Sequence, residues 1–246
     1  MLRRIGTVIF FALLASTQAM AADINFGGNI IGQGTFKNFS EELGVALSFR
    51  NNLPPHPLGV TGFDAGVEVS GVDINDKSDY WNAAFNGDAP SMLVLPRLRV
   101  RKGLPFGIDV GAMYSNAGNT NIQLYGVELS KAILDGTAAT PALGVRGTYT
   151  KLSGVPDVEL QTAGVDASVG KGILFFTPYA GAGVLWIDSR PTGNLKTTNP
   201  GLSDEAMWQP RFFAGVEIKP VPLVRIIAEV EYALRPIYSL KAGIGF

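Results

Sequence analysis

Along most of this chain apolar and polar residues alternate one by one, the period of a β-strand with two different faces. In 42–50 the apolar set is Leu43, Val45, Leu47 and Phe49, opposed by Glu42, Gly44, Ala46, Ser48 and Arg50. In 63–70, Phe63, Ala65, Val67 and Val69 oppose Asp64, Gly66, Glu68 and Ser70. In 92–101, Val94, Leu98 and Val100 oppose Arg97, Arg99 and Arg101, and in 106–115 the apolar parity runs from Phe106 to Tyr114. The pattern continues through 123–132, 142–150, 162–170, 175–187, 208–219, 224–235 and 237–246, with Gly, Pro, Asn and Asp clusters between segments. Within the cores of these segments every charged side chain keeps to one parity, so each predicted strand has one uncharged, apolar face.

Periodicity does not say whether that face looks into a core or out at lipid, because soluble and membrane barrels alternate alike. Three features point outward. The polar parity is rich in glycine, including Gly44, Gly66, Gly107, Gly111, Gly144, Gly164 and Gly215, which suits a crowded lumen. Aromatics gather at the ends of the apolar parity: Tyr114, Tyr149, Trp186, Trp208, Tyr232 and Tyr238 at one end, Phe49, Phe63, Phe106 and Phe246 at the other. Short, often proline-containing links such as 102–105, 171–174 and 220–222 alternate with longer polar ones such as 71–91 and 188–207, as periplasmic turns alternate with external loops. The expected fold is all-β, a closed antiparallel transmembrane barrel of meander topology. A first strand near 24–31 would give twelve strands; the alternative is ten, with Phe36, Phe39 and Leu43 marking one face of a short helix.

The start of the chain supports the same setting. Arg3 and Arg4, an apolar run from Val8 to Ala15 and Ala19-Met20-Ala21 read as a secretory signal peptide over 1–21, cleaved near Ala21. Residues 22–41 then form an N-terminal segment and 42–246 the barrel. With no cysteine, neither a lipid anchor nor a disulfide framework is available. Without the two leader arginines the chain has 18 basic and 21 acidic residues and no basic run, so nucleic acid is not an expected partner.

Five phrases, "EELGVALSFR", "PLGVTGFDAGVEVSG", "RKGLPFGIDVGAMYS", "ATPALGVRGTYTKLSGV" and "FFTPYAGAGVLW", together resemble a group of uncharacterised, porin-like Gram-negative outer-membrane β-barrel proteins. The likeness covers most of the chain beyond the leader. It implies fold and location, the bacterial outer membrane with its lipids as surroundings, and no substrate or active residue. The tail "YSLKAGIGF" resembles the terminal strand signal of such barrels, which implies presentation to the barrel-assembly machinery through the strand ending at Phe246.

The chemistry available lies on the polar parity. Arg97, Arg99 and Arg101 share one strand, with Arg146, Arg211, Arg225 and Arg235 elsewhere; Glu68, Asp109, Asp166, Glu217, Glu229 and Glu231 oppose them. Arginines two residues apart repeat about every 7 Å and repel unless carboxylates or a passing anion compensate. Two readings follow: a salt-bridged interior that fills the barrel, or a narrow channel for ions or small solutes whose conductance depends on the three arginines. An occluded barrel would instead act through its external loops, where Tyr80, Trp81 and Phe85 are the candidate ligand contacts.

No enzyme is expected. His56, the sole histidine, sits in "NNLPPHPLG" with no nucleophile at a recognisable spacing and reads as a structural turn residue. Glu229 and Glu231 imitate a catalytic pair, but Arg225 and Arg235 explain them electrostatically. Asp73, Asn75, Asp76 and Asp79 fail the calcium-loop pattern, since Lys77 takes a ligand position, and no metal or cofactor is expected.

Overall fold

The structure, a computed structural model, describes residues 23–246 except 88, 119 and 138. The expected signal peptide lies outside the described residues. Ten strands follow one another around a closed sheet: β1 (Phe63–Asp73), β2 (Met92–Leu104), β3 (Ile108–Asn116), β4 (Gln123–Leu134), β5 (Ala142–Ser153), β6 (Val158–Gly170), β7 (Phe176–Pro191), β8 (Glu205–Ile218), β9 (Val224–Ala233) and β10 (Arg235–Gly245). Every neighbouring pair is antiparallel, and β10 closes the wall on β1 from Asp64↔Gly245 to Val72↔Ile237. Closure leaves no unpaired edge.

The count is therefore ten, the alternative reading, not twelve, and Phe36, Phe39 and Leu43 are buried on one helix as that alternative has them. Residues 24–31 form no strand, and 42–50 is not a strand either: helix α1 (Gln33–Leu47) takes its first six residues. The misreading has a physical cause. From Glu42 to Leu47 every residue of α1 is buried, so this half of the helix shows no polar face to reveal a 3.6-residue period, and Leu43, Val45 and Leu47 alternate by accident of composition. The barrel begins at Phe63 rather than at residue 42.

Helix α1 stands inside the barrel. One end of the barrel carries the connections after β1, β3, β5, β7 and β9; two of these hold short helices, α2 (Asp79–Ala84) and α3 (Gly193–Thr198). Residues 23–31 lie across this long-loop end, where Ile24 and Asn121 exchange hydrogen bonds, Phe26 N–H donates to Asp157 and Ile31 N–H to Asn199. Then α1 descends into the lumen, and residues 48–62 continue to the short-turn end. There Leu58 N–H donates to Asp109, and Phe63 exchanges backbone bonds with Phe246. The N-terminal segment threads the whole barrel.

The outward parity is apolar as expected. Leu98, Val100, Val127, Leu129, Val165, Val184 and Val230 are exposed, as are Tyr114, Tyr149, Trp208, Tyr232 and Tyr238, while Trp186 is half-buried beside Trp208. Phe49 departs from expectation: it lies inside, under the guanidinium groups of Arg99 and Arg146 at 4.7 and 5.8 Å from its ring centre.

The interior has two layers. Toward the long-loop end the inward parity is apolar: Leu93, Leu95, Leu124, Leu152, Leu185 and Ile187 pack around Phe36, Phe39, Leu43 and Leu47 of the helix. Each such side chain contributes about 1.5–3 kcal/mol on full burial. Gly44 allows the contact, because a Cβ there would stand 2.4 Å from Ile187. Toward the short-turn end the inward parity is charged.

Candidate functional site: the plugged lumen

The charged layer begins where α1 ends. A helix C-terminus leaves backbone carbonyls without partners at the negative end of its dipole. Here the wall supplies guanidinium groups to one of them and to carbonyls of the extended residues that follow. Arg97 donates to Ala46 O (3.3 Å), Arg211 to Phe49 O (2.9 Å), Arg146 to Arg50 O (2.7 Å) and Arg99 to Asn51 O (2.8 Å). The plug's own Arg50 folds back on Val45 O and Ser48 and reaches Glu231 at 2.8 Å.

The same guanidinium groups carry the wall's ion pairs. Asp166 accepts a bidentate pair from Arg211, both at 2.6 Å, and two further bonds from Arg146 at 2.6 and 3.1 Å. Glu128 binds Arg99 at 2.7 Å, with Arg101 at 3.3 Å and Arg146 at 3.5 Å. Glu68 binds Arg97 at 3.1 Å, Asp109 binds Arg101 at 3.0 Å, and Lys241 pairs with Asp64. Arg225 lies 3.6 and 3.7 Å from Glu217 and Asp64 at the short-turn end. Buried charge of this density is tolerable only when each group is paired and hydrogen-bonded.

Glu229 differs from its neighbours. Its Oε2 accepts from Tyr179 O–H (2.8 Å), Asn52 N–H (2.9 Å) and Asn51 Nδ2 (3.3 Å), neutral donors of which two belong to the plug. The Glu229–Glu231 pair thus receives the plug rather than a substrate.

The inward glycines make room for these groups. A Cβ on Gly183 would stand 2.2 Å from Asp166 Oδ1, and one on Gly126 would stand 2.8 Å from the Phe49 ring. Where the plug's Asn51, Leu53 and Pro55 pass Arg99, Glu128 and Arg146, the remaining cavity is about 20 Å³, room for about one water molecule.

All the lumen candidates read from sequence face this interior. Arg97, Arg99, Arg101, Asp109, Arg146, Asp166, Arg211, Glu217, Glu229 and Glu231 are buried, and Arg225 is partly exposed at the rim. Sequence reasoning missed Glu128, Asp64 and Lys241, although parity alone marks them as inward. It also missed Arg50, hidden in the misread strand.

The loop aromatics are corrected. Trp81 is 0% exposed and Phe85 is buried, while Tyr80 is half-buried; Trp81 meets Phe39 edge-on at 5.2 Å and stacks on Phe85, so these two rings hold the α2 connection over the plug and are not open ligand contacts. Glu42 of α1 fixes it there. Its carboxylate accepts from Tyr80 O–H (2.7 Å), Trp81 Nε1 (2.8 Å), Asn75 N–H (3.2 Å) and Arg235 Nε (2.9 Å). Glu42→Gln removes the charge and replaces one acceptor by a donor. We expect a loss of about 1–3 kcal/mol, read as protease cleavage within 74–91 that leaves the strands intact.

His56 lies in the strap that leaves the lumen. Burial lowers its pKa below the ordinary histidine value and the Lys219 charge lowers it further, against a smaller opposing pull from Glu217. The folded state therefore favours the neutral ring. Its stabilising contribution is present above about pH 6.5 and is lost as pH falls below that. NMR titration of the single imidazole should give a midpoint below that of the unfolded chain.

No family model matches the chain, and no curated protein matches it. Among solved structures it is similar to outer-membrane barrels. The outer membrane protein OprG of Pseudomonas aeruginosa is 14% identical, with 79% of this chain and 99% of that chain covered and a TM-score of 0.39. The N-terminal β-barrel domain of OprF from the same organism is 13% identical, with 76% and 99% covered and a TM-score of 0.37. Ail, the attachment invasion locus protein of Yersinia pestis, is 15% identical, with 75% and 97% covered and a TM-score of 0.35. Likeness at this level carries no inference about activity.

Proposed function

We propose that this chain is an outer-membrane β-barrel sealed by its own N-terminal segment, a closed barrel rather than an open porin. The membrane setting is supported by the uncharged outward parity and its aromatic rim, which no soluble environment would favour. One observation carries the sealed reading: wall arginines hold the carbonyls of Ala46, Phe49, Arg50 and Asn51 across the lumen. Its working surface is then the long-loop end, where residues 23–31 and the α2 and α3 connections form a single cap.

The channel reading keeps one support of its own. In the closed ladder each wall strand pairs with two wall strands and the plug takes no place between them, so the plug could leave without opening the sheet. Planar-bilayer recording separates the two. A barrel refolded from Ala22 onward, with heat-dependent gel mobility as evidence of folding, should give no conductance steps. Reproducible steps from the intact chain would overturn the sealed reading.

A further inference from the structure

The four segments that lead into the short-turn end share a pattern that neither the plug nor the lumen uses. They read KGLPF (102–106, from the last residues of β2 into its turn), KAILD (131–135, from the last residues of β4 into its turn), KGILF (171–175) and KPVPL (219–223). Each begins with lysine, has a branched aliphatic residue two places on, and continues with proline or leucine. The barrel places all four on one rim.

Turns in contact with water favour glycine, asparagine and aspartate at their tips, especially where φ is positive. Three of the four turns do the opposite, while the β4–β5 turn keeps Asp135 and Gly136. Phe106, Leu174 and Leu223 occupy the left-handed region at φ 66, 55 and 73, and they are 85%, 95% and 56% exposed. A strained backbone that holds a bulky apolar side chain outward implies surroundings that solvate that side chain.

The charge at this end is one-sided. Among the described residues the four lysines face a single exposed side-chain carboxylate, Asp135, because Asp64, Asp109 and Glu217 are buried. Lys102 donates to Val60 O (2.6 Å) and Gly62 O (3.1 Å), Lys131 to Phe106 O and Lys171 to Ala139 O (2.9 Å); Lys219 alone meets a carboxylate, Glu217 at 3.0 Å. An ammonium has three donors, and these contacts leave at least one on each.

We propose that the short-turn rim is a docking surface for anionic phospholipid. Phe106, Leu174 and Leu223 lie among acyl chains while the lysines hold headgroup phosphates. The inference rests on the membrane-barrel reading and adds the lipid class and the end that meets it. An apolar tip flanked by a snorkelling lysine is the arrangement that an anionic interface selects.

Native mass spectrometry of the barrel with phosphatidylglycerol or phosphatidylcholine tests it, comparing the parent with K102Q/K131Q/K171Q/K219Q. Glutamine keeps a donor for the turn carbonyls and removes the charge. The parent should retain phosphatidylglycerol about tenfold more tightly than phosphatidylcholine, and the quadruple variant should lose that preference. Equal retention of the two lipids by the parent, or an unchanged preference in the variant, overturns the proposal, as does stronger retention of lipid A than of phosphatidylglycerol. A photo-cross-linker at position 174 in intact cells should label lipid; a protein adduct would assign the rim to a protein partner instead. Insertion into neutral phosphatidylcholine vesicles is scored separately by gel mobility. Failure to insert sinks the membrane reading as well, whereas insertion without headgroup preference sinks the rim alone.

Discussion

Joining Ala22 to Gly59, and so removing residues 23–58, should convert a silent barrel into a conducting one with a preference for cations. The wall does not need the plug to close, since β1 and β10 pair along nine residue positions without it. Most wall charges also keep their partners. Asp166 retains Arg146 and Arg211, Glu128 retains Arg99 and Arg101, Glu68 retains Arg97, and Asp64 retains Lys241. Three lumen carboxylates lose plug donors: Glu231 loses Arg50, Glu229 loses both asparagine donors, and Asp109 loses the Leu58 N–H while keeping Arg101. The opened lumen is therefore biased toward negative charge at its centre, and rings of carboxylate favour cations. Reversal potentials in a salt gradient read the sign. An anion preference would show that the freed arginines dominate, and silence from a folded variant would show that the apolar upper layer alone blocks conduction.

How much of this was legible in the sequence depends on which interface is considered. The wall was: ten of the eleven alternating segments became the ten strands, because each separates an uncharged outer face from a mixed inner one. Its girdle residues Tyr114, Tyr149, Trp208, Tyr232 and Tyr238 were found outward for the same reason. The plug was legible only in part: Phe36, Phe39 and Leu43 marked a helical face, but not its continuation to Leu47 or its place inside the barrel. The half of the helix from Glu42 to Leu47, enclosed on all sides, loses the polar stripe by which sequence reading recognises helices, and Glu42 and, just beyond the helix, Arg50 happen to fall on the parity expected of a strand. The split of the lumen into apolar and charged layers was hidden too. Leu93 and Leu95 share the inward parity of Arg97, Arg99 and Arg101, and only a partner inside the barrel explains why one inner face carries both. The lysine turns could be aligned from sequence once the topology was assigned, but their meaning depends on exposure and on φ, which sequence does not display.

Asp166→Asn should lower the unfolding free energy by about 3–5 kcal/mol, the cost of leaving a buried pair without its counter-charge. The carboxylate takes four short bonds from Arg146 and Arg211, and both guanidinium groups also reach the plug. Asparagine keeps the shape but removes the charge and turns one acceptor into a donor aimed at two cations. A surface pair provides the internal standard. Asp204 lies 3.5 Å from Arg190 with both side chains more than half exposed, so Asp204→Asn should change stability by no more than about 1 kcal/mol. Urea unfolding in detergent, followed by the gel shift between folded and unfolded barrel, measures both. Adding Arg211→Gln to Asp166→Asn should recover part of the loss, because it removes one of the two stranded cations; a double variant as unstable as the sum of the singles would show that the two residues act independently. The Asp166 and plug experiments bear on one structure, since Arg146 and Arg211 use one edge to hold Asp166 and another to hold the plug's carbonyls. Loosening Asp166 should therefore also make the intact chain conduct intermittently, an effect that Asp204→Asn lacks.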